Sequence, residues 1–136
     1  MRRFLRLSRR RKLLLFATLV LSFCSWILMR FFRKSARFER RKRGPEREAD
    51  ARLVSDIRWA VFAVNRYVPW ENVCRHQAWQ ALYLCRYYGI PCEIFVGFRK
   101  NKESGEIEGH AWTLIKGEFV TGFCDPEEYT VQGVYA

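Results

Sequence analysis

Apolar residues form one uninterrupted run near the start of the chain, then recur at helical spacing in two stretches and alternate in four. The run is "LLLFATLVLSFCSWILM", Leu13 to Met29, which carries no charge and is flanked by "RRRK" and "RFFRK". As a helix it reaches about 26 Å, slightly short of the hydrocarbon core of a bilayer at about 30 Å. From Asp50 onward Leu53, Ile57, Ala60, Val61 and Val64 recur at helical spacing until Pro69. Asn72 reads as the N-cap of a third helix, with Cys74, Ala78, Ala81, Leu82 and Cys85 on one face and Gly89 and Pro91 at its end. Beyond it "CEIFVGF", "IEGHAWTLI", "EFVTGF" and "YTVQGVYA" alternate as strands, the second and third joined by a hairpin turn at Lys116 and Gly117. Helices followed by an antiparallel sheet predict an α+β fold.

Charge divides the chain. Residues 1–43 hold fifteen Lys and Arg against the single acid Glu39, whereas residues 44–136 hold ten basic and thirteen acidic residues. The remainder therefore has no electrostatic footprint for nucleic acid. With Gly44 and Pro45 as a natural break, the expected organisation is a basic, hydrophobic N-terminal helix over 1–43, a linker over 44–51 and a folded domain over 52–136. The N-terminal helix is a candidate membrane anchor, or a dock for a partner, and positive charge on both sides leaves its orientation open. Five cysteines, with no CxxC pair and no zinc-ligand spacing, predict free thiols in a reducing compartment and no metal or cofactor.

Cys74 is the thiol whose surroundings point to chemistry. Near a helix N-terminus it meets unpaired N–H groups and the positive end of the helix dipole, both of which favour thiolate, and its own N–H is a candidate oxyanion donor. His110 lies within a strand of mainly apolar and small residues, on the sheet expected to pack on that helix. Extending the hairpin from Ile115 and Glu118 sets Phe123 opposite His110, with Thr121 and Asp125 on the diagonals. Asp125 is the carboxylate among them and the candidate to orient the imidazole. A slip of one residue sets Gly122 and Cys124 there instead. His76, two residues after Cys74, diverges from it by about 200° on a helix and is a poor base for it. Trp70 and Trp112 are candidates to line a peptide cleft, or else belong to the core.

"NVCRHQAWQALYLCRYYGIPCEIFVGFRK" followed by "IEGHAWTLIKGEFVTG" resembles the transglutaminase-like cysteine peptidases of lasso-peptide biosynthesis. The resemblance runs from about Arg52 to Val134 and implies a papain-related core. It implies removal of the leader from a ribosomally made precursor peptide, with Cys74 as nucleophile and His110 as base and then acid. It further implies a separate leader-recognition protein, since the winged-helix element fused in longer homologues is absent from these residues, and an asparagine-synthetase-like cyclase that closes the product. Such an enzyme works in the cytoplasm, here at the inner face of the cell membrane, with residues 13–29 as the dock for membrane, exporter or partner. Many members carry a third catalytic carboxylate about twelve residues after the histidine. That position here is Gly122, with Asp125 three residues on. The alternatives are acyl transfer to an amine and an inactive, membrane-tethered scaffold.

Overall fold

A helix starts where the side chains can satisfy or tolerate its first orphan N–H groups, and three such starts organise the chain. The computed structural model describes residues 7–32 and 48–136. The basic stretch after the first helix and the first half of the expected linker fall outside them. Helix α1 spans Arg9–Phe31, with Ser8 accepting from the N–H of Arg11 as its cap. Helix α2 spans Ala51–Tyr67 under an Asp50 cap. Helix α3 spans Cys74–Tyr88 and ends at Gly89, whose left-handed φ of 67° lets Ile90 N–H reach back to the carbonyl of Cys85.

Strands β1 (Glu93–Lys100), β2 (Ile107–Ile115), β3 (Glu118–Thr121) and β4 (Thr130–Tyr135) follow, with a short 3-10 turn at Pro126–Glu128. They form one antiparallel sheet in the order β3-β2-β1-β4. Helix α3 lies on β2 and β3, and α2 meets β3, so the fold is the expected α+β arrangement. Ala78, Ala81 and Cys85 of α3 pack with Ile57 and Val61 of α2 and with Ile94, Ala111, Ile115 and Val120 of the sheet. Alanines on that helix face let its backbone approach the strands closely, which places the first residue of α3 against the same core.

The first helix is part of this packing, which revises the expected boundary at residue 52. It rests on α2 and α3, and Leu14 joins the common core at 1% exposure. Thr18, Ser22 and Ser25 continue the buried line. Its small polar side chains therefore face inward, while Leu13, Phe16, Val20 and Phe23 stand exposed on the other side. Trp70 N–H donates to Ser22 Oγ at 2.9 Å, and Thr18 satisfies its hydroxyl on the carbonyl of Leu14. By length and composition α1 could cross a membrane, yet one of its faces is occupied by protein.

A buried carboxylate fastens the start of α1. Asp56 of α2 accepts from Arg10 at 2.8 and 2.6 Å and from Arg11 at 2.7 Å. Burial pushes its carboxyl up, but the two guanidiniums outweigh this and hold it below the ordinary carboxylate range. A folded-state value below the unfolded one stabilises the fold fully at neutral pH, and that contribution fades as pH falls through the lowered value. Asp56→Asn is expected to cost about 1 to 3 kcal/mol in urea unfolding at neutral pH, since each arginine stays part-exposed. The gap between variant and parent should close on acidification; a gap that persists at low pH would assign the loss to packing instead.

Candidate active site

The candidate site draws on the N-terminal end of α3 and on β2, a strand that α3 packs against. Cys74 is the first residue of α3, and its cap is Val73, not the expected Asn72. Val73 offers no side-chain acceptor, and the first backbone bond runs from Gln77 N–H to Val73 C=O. The N–H groups of the turn that opens with Cys74 thus have no acceptor within the helix. Asn72 turns inward instead, where its Oδ1 accepts from Gln80 Nε2 at 2.7 Å. The thiol is half-buried at the edge of the core.

His110 stands on β2 opposite Gly97 of β1. Its ring lies 5.4 Å from that of Tyr129 and 6.1 Å from that of Trp112, both in stacked orientation. Gly97 makes this possible, because a Cβ there would meet Trp112 and Tyr129 at 3.2 Å. The Nε2 of His110 lies 2.9 Å from the carbonyl oxygen of Gly122. The expected pairing of His110 with Phe123 does not form, because the register shifts between Thr113 and Leu114. Leu114 pairs Phe119 while Thr113 pairs Thr121, which leaves Val120 as the extra residue of a bulge. The slip brings Gly122 to the histidine.

Asp125 is accordingly not the partner of His110. It is exposed, and its carboxylate accepts from Glu127 N–H at 3.1 Å as the cap of the 3-10 turn. Cys124, between Gly122 and Asp125, is half-buried. Burial pushes its thiol up, and the charges of Asp125, Glu128 and Cys74 add to this against Arg99. No hydrogen bond joins Cys74 to His110 among the described residues.

Of the two candidate cleft tryptophans, one is enclosed and the other half-buried. Trp112 is 1% exposed, stacked on Phe95 at 5.6 Å beneath the histidine. Trp70 is tied to α1 through Ser22 and the ring of Phe23. His76 is buried in α3, where desolvation holds it below the ordinary histidine range, helped by Arg75 and opposed by Glu71. That makes it part of the helix packing and not a base for Cys74. Arg99 binds Glu108 at 3.0 Å and Glu128 at 2.6 Å and covers the ring of Tyr129. Tyr129 had no distinguishing mark in sequence beyond its place at a strand start. Among the described residues no group of three or more metal-ligating side chains occurs.

A thiol opening a central helix that packs on an antiparallel sheet, with an imidazole fixed on the adjoining strand, defines the class of thiol acyl-transfer folds. The model of the transglutaminase-like superfamily matches residues 17–133, and the chain belongs to that superfamily. The match begins within α1, in keeping with the burial of that helix against the rest. No curated protein and no solved structure matches the chain significantly.

Proposed function

We propose that the protein is a cysteine peptidase that removes the leader from a ribosomally made lasso-peptide precursor. The observation that carries this reading is Cys74 at a helix N-terminus without a side-chain cap, on the helix that packs against the strand where His110 is held through its Nε2. The "GIP", "VG" and "GHAW" motifs in their order supply the substrate class by resemblance. The thiolate of Cys74 attacks the scissile carbonyl, and the oxyanion is met by N–H groups of the first turn of α3. His110 takes the thiol proton and returns it to the leaving amine, the new N-terminus of the core peptide. Water then hydrolyses the thioester, giving a leader with a free carboxylate. A separate recognition protein delivers the precursor, and an asparagine-synthetase-like cyclase uses the freed amine. Precursor incubated with the protein and its recognition partner is expected to yield both fragments by mass spectrometry. A leader joined to an added primary amine would instead identify acyl transfer.

The exposed side of α1 supports placing the enzyme at the inner face of the cell membrane. Leu13, Phe16, Val20 and Phe23 face outward, and Phe16 is 67% exposed. Seven Lys and Arg precede this helix's apolar run and eight follow it up to Arg43, a pattern that favours anionic lipid. With Thr18, Ser22 and Ser25 held by the domain, α1 lies along the surface instead of crossing. Phe16→Ser with Val20→Ser should weaken cosedimentation with phosphatidylglycerol vesicles by about tenfold or more while leaving the melting temperature unchanged. Equal binding of parent and variant would remove α1 from membrane attachment.

A further inference from the structure

We infer that the main-chain carbonyl of Gly122 is the group that orients His110, so that the site works with a Cys-His pair and a backbone acceptor and without Asp125. The inference rests on the peptidase reading for its role in turnover, but its geometry stands on the protein alone. A carbonyl oxygen only accepts, so the 2.9 Å contact requires His110 Nε2 to carry the proton. In the neutral ring the lone pair then sits on Nδ1, and a single nitrogen is left as the base. Tyr129 and Trp112 stack against the ring and limit its rotation.

Gly122 holds a place that no side chain can take. Its φ is +68°, and a Cβ built on it would lie 2.2 Å from the carbonyl oxygen of Ala111 and 2.8 Å from Cα of Trp112. A carboxylate twelve residues after the histidine is therefore incompatible with this backbone. The Val120 bulge brings the loop so close to β2 that the main chain itself reaches the imidazole. Asp125, the nearest carboxylate in sequence, caps the turn at Glu127. Because a neutral carbonyl holds an imidazolium less strongly than a carboxylate does, this site relies on fixed geometry more than on an added charge.

The test combines a spectroscopic and a kinetic readout. In protein labelled with nitrogen-15 histidine, compared with His110→Gln to identify the ring, the neutral imidazole of His110 is expected in the Nε2–H form. Finding the Nδ1–H form would overturn the inference. Asp125→Ala is expected to keep kcat/KM for the precursor within about tenfold with an unchanged pH profile, where loss of an orienting carboxylate costs about 10⁴-fold. A larger loss, with a displaced pH profile, would restore Asp125 as the orienting group. Gly122→Ala should mix the tautomers and slow alkylation of Cys74 by iodoacetamide at least about tenfold in protein that stays folded by circular dichroism. An unchanged tautomer and rate in that variant would count against the carbonyl. Tautomer and alkylation are read without substrate, so a failure to cleave any precursor would fall on the peptidase reading alone.

Discussion

Cys74→Ala is expected to abolish precursor cleavage, lowering turnover by about 10⁴-fold or more, because the nucleophile and its proton acceptor act as a unit and the loss of either removes the covalent route. The variant should fold like its parent. Cys74 is half-buried at the end of a helix, has no cap interaction to lose, and alanine is the best helix former. Mass spectrometry of the precursor reports the activity and thermal unfolding reports the fold. Cleavage at the parental rate would remove Cys74 from the chemistry. No cleavage by either chain, with the recognition protein present, would leave the inactive scaffold as the better account. Iodoacetamide should modify Cys74 faster than the deeply buried Cys85 and Cys92, which separates a reactive thiol from a structural one.

Trp112→Ala carries the largest expected cost to stability, roughly 3 to 5 kcal/mol. The indole is enclosed, parallel to Phe95 and against Tyr129, so truncation leaves a void that the sheet cannot readily close. It also removes the surface on which His110 rests, so activity should fall even where the protein is still folded. Guanidinium unfolding with precursor cleavage on the same samples checks both parts. A tryptophan that lined the cleft would give another result, a raised KM with unchanged stability. Trp112→Phe should recover most of the stability, since the ring stack survives.

The elements were legible in sequence because their signals are local. Gly89 stops α3 with its left-handed φ, Lys116 and Gly117 turn β2 into β3, and alternation identifies the strands. Cys74 and His110 stood out for a similar reason: a thiol at a helix start and an imidazole in a strand of mainly apolar and small residues are conspicuous in their own neighbourhoods. What depended on the path of the backbone was less visible. A one-residue bulge at Val120 decides whether Asp125 or Gly122 reaches His110, and nothing in "EFVTGF" marks which residue is left unpaired. A carbonyl leaves no trace in a sequence, so its presence had to be seen in the fold. The inward face of α1 was hidden by composition, because a seventeen-residue apolar run masks the three small hydroxyl residues that actually meet the domain.

That last feature bears on how the protein can be handled. A hydrophobic N-terminal segment invites removal when a soluble preparation is wanted, but a chain starting near residue 48 would uncover the sides of α2 and α3 that Leu14, Thr18, Ser22 and Ser25 now cover, and would strand Asp56 without its arginines. Solubility is better sought by keeping the helix whole and replacing the outward Leu13, Phe16 and Val20 with polar residues, so that the stickiness is removed while the domain retains its third layer of packing.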